Sequence, residues 1–190
     1  MNKYLLASVI ALSVSSGIAQ AADGTITFNG LVTSSACTAI ASVTADSVAT
    51  GTPVSATLTL PNVSASTLNA AAGTYAGQTP FSIQLTGCEA TAALNNVRAL
   101  FTTTGATGGA IANTALVTPA ANVAIAIMQD NGTTQIDVNG GSARDPGAAL
   151  PASGSPGPVT LNYKAAYKSL STGVTSGNVT GVADFVISYF

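Results

Sequence analysis

Cys37 and Cys88 are the residues of this chain with the clearest covalent chemistry open to them, and they are its only cysteines. In an exported protein such a pair is expected to form one disulfide. Two free thiols or a metal site are the competing readings, and the second suffers from the lack of any histidine among the 190 residues. General acid–base catalysis most often draws on histidine or paired carboxylates, yet Glu89 is the one glutamate and the aspartates are scattered through turn-rich segments. A carboxylate pair such as Asp137 and Asp145 reads as solvated surface. The many serines have no base beside them and form no Gly-x-Ser-x-Gly elbow. The glycine-rich run at residues 105–109 lacks the Lys-Ser/Thr that follows a phosphate cradle. No catalytic residue, cofactor or bound metal is expected, and the chain is not read as an enzyme.

The elements around these residues read as strands. Residues 25–32 alternate, with Ile26, Phe28, Gly30 and Val32 on one side and Thr25, Thr27, Asn29 and Leu31 on the other. Residues 53–60 repeat the pattern, and residues 80–85 place Phe81, Ile83 and Leu85 on one face just before Cys88. Further strands are predicted over residues 97–103, 159–167 and 179–190. Residues 123–128 and 133–138, joined through Asn131 and Gly132, read as a hairpin on a two-residue type I′ turn. Residues 140–158 carry four prolines and read as a loop, while the Ala- and Ser-rich residues 64–77 are compatible with a helical turn, a loop or an edge strand. About eight short strands parted by Gly, Pro and Ser indicate an all-β sandwich.

Both ends of the chain are unusual. Residues 1–21 join Lys3, an apolar run over residues 4–12 and a closing Ala19-Gln20-Ala21, the pattern of a cleaved secretory signal peptide. Serines and Gly17 interrupt the run well short of the roughly 20 apolar residues a membrane span needs. At the other end Ala183, Phe185, Ile187 and Tyr189 alternate up to Phe190. So apolar a terminus is held either in its own core or by another polypeptide. With Lys3 removed the net charge is −3, too weak and too acidic to support nucleic acid or an anionic membrane as partner.

Several motifs occur in a telling order. They are Asp23-Gly-Thr-Ile-Thr-Phe-Asn-Gly-Leu-Val-Thr-Ser-Ser-Ala-Cys37 and Phe81-Ser-Ile-Gln-Leu-Thr-Gly-Cys88, then Val123-Ala-Ile-Ala-Ile-Met-Gln-Asp-Asn-Gly132, Leu161-Asn-Tyr-Lys-Ala-Ala-Tyr167 and the terminal zipper with Tyr189 next to last and Gly177 fourteenth from the end. In that order, behind a signal peptide, they resemble a pilin of the chaperone-usher class, related to type 1 and P fimbrial subunits, over nearly the whole mature sequence. The resemblance implies an incomplete immunoglobulin-like sandwich lacking its last strand, completed by a donor strand from a neighbouring subunit. It implies a donor-strand extension over residues 22–33, carrying Gly24, Ile26, Phe28, Gly30 and Val32, and a pilin domain over residues 34–190. A periplasmic pilus chaperone would first pair with the C-terminal strand of Gly177, Ala183, Phe185, Ile187, Tyr189 and Phe190. At the outer-membrane usher, the extension of the next subunit would replace it. Other copies of the chain and related pilins are the expected filament partners, and no direct binding of a host receptor is expected.

The residues speak for strand donation on their own terms too. Burying Ile26, Phe28 and Val32 in a groove would contribute roughly 1.5–3 kcal/mol each, with a ladder of main-chain hydrogen bonds besides. Taken alone, residues 25–32 read first as the protein's own first strand, and it is the apolar stretch at residues 177–190 that reverses this preference. The sequence thus supports a structural subunit of an adhesive surface fimbria, read as the major shaft pilin. The fifteen residues from Ala22 to Ala36 make a shorter extension than many major pilins have, so a minor tip or adaptor pilin is the first alternative. A monomeric secreted β-sandwich binding module is the second, although a chain without tryptophan makes a poor sugar-stacking platform.

Overall fold

Alternation along the strands decides which side chains become core. The computed structural model describes residues 36–51 and 54–190, and at its centre lies β3 (Tyr75–Cys88), whose Ile83 and Leu85 are fully buried. Its neighbours are β1 (Ala39–Thr44) on one side and β10 (Gly157–Ser169) on the other, both antiparallel, with Leu161 opposite Ile83 and Tyr163 opposite Phe81. β2 (Val48–Ala49) extends the sheet beyond β1. Beyond β10 come β7 (Val123–Gln129), β6 (Ala110–Ala112) and β5 (Ala106–Thr107), with β8 (Gln135–Ile136) also paired to β7. A second sheet is built from β4 (Asn96–Thr102), flanked by β9 (Ala148–Ala149) and β11 (Asp184–Tyr189). The apolar faces of the two sheets meet in one core, to which β4 gives Val97, Ala99 and Phe101 and the larger sheet gives Ile83, Leu85, Ile127, Leu161 and Tyr163. This is an all-β sandwich with open sheets, all of it within one compact unit, Ser34–Phe190.

A buried polar contact ties the layers together. The Tyr163 phenol donates to Asp145 at 2.5 Å and accepts from the Ala99 backbone N–H at 3.2 Å. Burial, then the hydrogen bond to the Asp145 carboxylate, push this phenol well above its ordinary range, so it remains a neutral donor. Asp145 is therefore not the solvated surface group that its loop suggests: it is only 8% exposed and also accepts from the Gly147 N–H at 3.0 Å.

Elsewhere one open expectation is resolved in favour of a helical turn, and two are corrected. The Ala- and Ser-rich segment forms α1 (Ala65–Leu68), because the Ser64 hydroxyl accepts from the Thr67 N–H and caps it, before β3 starts at Tyr75. In the β7–β8 hairpin Gly132 alone of the central pair has a positive φ, 69°. Asn131 instead accepts from the N–H groups of Thr133 and Thr134, and the ladder closes between Gln129 and Thr134. The loop is thus longer than a type I′ turn. Residues 54–60 form no ladder with any described residue. They are pinned instead through Asp46, which accepts from both the N–H and the hydroxyl of Thr59. These hydroxyl and amide donors hold the Asp46 carboxyl below its usual value.

Candidate functional site

β11 is an edge strand. It pairs antiparallel with β4, placing Phe185 opposite Phe101 and Tyr189 opposite Val97, and its other edge has no ladder partner among the described residues. Ala183, Phe185, Ile187 and Tyr189 face inward and pack on the core, yet each is only partly buried. Val186, on the opposite face, is well exposed. The terminal alternation therefore exists as one apolar row whose cover is incomplete.

Beside that row lies an apolar groove of about 680 Å³. Ile40 and Val43 of β1 form one wall, Phe81, Phe101, Ile111 and Ile127 the floor, and Ala183 and Phe185 the β11 side. Val54 and Leu58 line another rim, from the stretch that finds no sheet partner. The floor is stiffened by aromatic contacts: Phe101 meets Tyr163 edge-on at 5.1 Å, Phe81 at 6.1 Å and Phe185 at 6.5 Å between ring centroids. Such a trough, open along a strand edge, offers main-chain groups for pairing and pockets for every second side chain. The alternation of Val54, Ala56 and Leu58 reflects their place along this trough, not membership of a ladder.

The C-terminal end of the row is anchored. The Asn95 and Asn96 N–H groups donate to the Phe190 carbonyl at 2.9 and 2.8 Å, and the Arg98 guanidinium sits 4.3 Å from the Phe190 ring centroid. Burial raises the Tyr189 phenol, partly offset by its hydrogen bond from the Cys37 backbone. Cys37 and Cys88 are joined, with an S–S distance of 2.09 Å, so the strand ends beside the disulfide. Removing the bridge by Cys37→Ala with Cys88→Ala is expected to destabilise the subunit by about 4 kcal/mol in the chain-entropy model. Urea unfolding of the isolated subunit measures this, and an unchanged midpoint would show that the bridge constrains nothing.

Gly177 stands apart from the other residues of the predicted terminal strand. The hydrogen-bonded strand begins only at Asp184, and Gly177 packs instead against the loop after β6, where a Cβ would come within 2.5 Å of the Ala120 nitrogen and the Thr118 oxygen. The predicted donor residues Gly24, Ile26, Phe28, Gly30 and Val32 lie outside the described residues. Sequence reasoning missed much of the groove floor. Phe101, Ile111 and Ile127 come from separate strands, and their convergence has no local signature; Ile40 and Val43 sit in a run too mixed to read as a strand.

Among the described residues there is no grouping of three metal-ligating side chains, and no helix is long and apolar enough to cross a membrane. What the fold and groove define is a β-sandwich with an open strand edge beside an apolar groove over its core. The fimbrial protein family model matches residues 26–190, and the chain belongs to that family. The major fimbrial subunit SMF-1 of Stenotrophomonas maltophilia is 35% identical over 175 residues, covering 90% of this chain and 95% of that protein. The F17 fimbrial protein of Escherichia coli is 36% identical over 195 residues, covering 100% of this chain and 99% of its own. In fold, the chain is similar to a subunit of a solved chaperone-usher pilus, with a TM-score of 0.56 at 22% identity, covering 95% of this chain and 100% of that one. The chain is a structural pilin, exported to a cell-surface fimbria where it polymerises with other pilins.

Proposed function

We propose that the chain is the repeating shaft pilin and that it polymerises by donor-strand exchange. The observation that carries this reading is the apolar groove of about 680 Å³ bordered by the open edge of β11. In the filament, residues 22–33 of the next copy lie along β11, with Ile26, Phe28 and Val32 in the groove and Gly24 and Gly30 at its shallow points. Before assembly a periplasmic chaperone pairs with the same edge through Ala183, Phe185, Ile187 and Tyr189, and an outer-membrane usher exchanges it for the donor. The disulfide between Cys37 and Cys88 fixes the root of the extension beside the end of the row. Because each copy gives one strand and accepts another, the contact is heterologous and propagates as a fibre.

The shaft assignment is favoured by a match over most of both chains to a protein described as a major fimbrial subunit. An SDS gel of material sheared from producing cells, run with and without boiling, tests both points. A ladder at multiples of the mature mass that collapses on heating is expected, and its length separates shaft from tip subunit. A lone monomer in both lanes would refute the reading and favour a soluble binding module.

A further inference from the structure

Leu116 and Val117 stand in the loop joining β6 to β7, 97% and 70% exposed. Single apolar residues scattered on a surface need no explanation, but here an adjacent pair is presented by a loop held in one conformation. The Asn178 side chain donates to the Val117 carbonyl at 2.8 Å and to the Thr118 hydroxyl at 3.1 Å. The Asn113 side chain donates to the carbonyls of Ala120 and Asn178 at 2.9 and 3.0 Å. Thr118 is kept at φ 40°, a conformation β-branched residues avoid. Gly177 permits the close approach of the two segments, since no side chain fits between it and residues 118–120.

The position of this loop along the molecule gives it a partner. β11 ends beside Cys37, so the disulfide marks one pole, from which the chain's own extension departs. Upstream of β11 the chain runs back through exposed Val182 and through Thr180, whose carbonyl accepts from the Thr114 N–H at 2.8 Å, to the Leu116 loop. That loop therefore belongs to the other pole. Resting on the donor-strand reading above, we propose that Leu116 and Val117 form a docking surface for the disulfide pole of the next copy in the filament. A head-to-tail fibre requires the donor's body at the pole its acceptor does not use for its own extension. A strand added antiparallel to β11 delivers it there. Thr33 to Ala36 alone separate Val32 from Cys37, a reach of at most roughly 18 Å when fully extended. The arriving surface, around exposed residues 91–93 and Thr38, is small and nearly uncharged, suited to an apolar tip.

A photoreactive benzoylphenylalanine at position 116 tests the proposal, and so exposed a site leaves folding undisturbed. Irradiated fimbriae are expected to yield a boil-stable dimer whose crosslinked peptide contains residues 89–94 or 36–39 of a second copy. Filaments that give the heat-labile ladder but no such dimer, or a crosslink mapping elsewhere on the body, overturn the docking surface while leaving strand donation intact. Absence of the ladder in the unmodified protein instead overturns strand donation, and the docking surface with it.

Discussion

Phe28→Asp is expected to abolish the heat-labile ladder while the chaperone-bound monomer still accumulates in the periplasm. The groove that Phe28 would enter is floored by Phe81, Phe101, Ile111 and Ile127 and offers an incoming carboxylate no basic partner. The substitution removes up to about 3 kcal/mol of burial and adds the cost of desolvating an unpaired charge, several kcal/mol more. Since about 1.4 kcal/mol is a factor of ten in affinity, exchange fails by orders of magnitude. On the proposed assembly route the chaperone contact is spared, because it would be made by β11, in which Phe28 has no part. Western blotting of sheared and periplasmic fractions separates the outcomes. Loss of the monomer as well as the polymer would mean that residues 25–32 complete their own subunit and that strand donation is wrong.

A second large effect is expected in denaturant. The assembled fimbria is predicted to withstand guanidinium concentrations that unfold the chaperone-free monomer within minutes. In the monomer, Phe185, Ile187 and Tyr189 are only partly covered and the outer edge of β11 has no ladder partner among the described residues. In the proposed polymer a donor would cover the row and pair the edge at once, and its removal would have to break many contacts before any could re-form. The gain therefore lies mainly in the unfolding rate. Parallel unfolding curves of fimbriae and monomer, followed by circular dichroism with incubation time varied, give the comparison. Coincident curves would count against a donated strand.

How far the sequence foretold this can be judged residue by residue. The strand carrying Phe81, Ile83 and Leu85 was legible because its alternation is clean and both neighbours pair with it; the zipper of Phe185, Ile187 and Tyr189 was legible from its alternation alone, since β11 pairs only with β4. Residues 53–60 misled because alternation reports one apolar face and is silent about whether a sheet neighbour exists. Asn131-Gly132 misled because the asparagine side chain can close a longer turn by accepting from Thr133 and Thr134. Asp145 was misjudged because its partner, Tyr163, is distant in sequence and the bond depends on the packing of both sheets. The groove itself was inferred from its apolar row and from family resemblance, while its floor, drawn from four strands, could be seen only once folded.

The asparagine braces around Leu116 have a consequence for the filament as a material. Here, and where Asn69 holds Gly173 and Val174, loops are tied by amide groups that carry no charge and do not titrate. Charged residues make up only 6% of the chain. Cohesion of this kind gives dissolved ions little to screen and leaves protons few sites to occupy. A subunit braced in this way keeps these loops in place when the water around it turns brackish or sour.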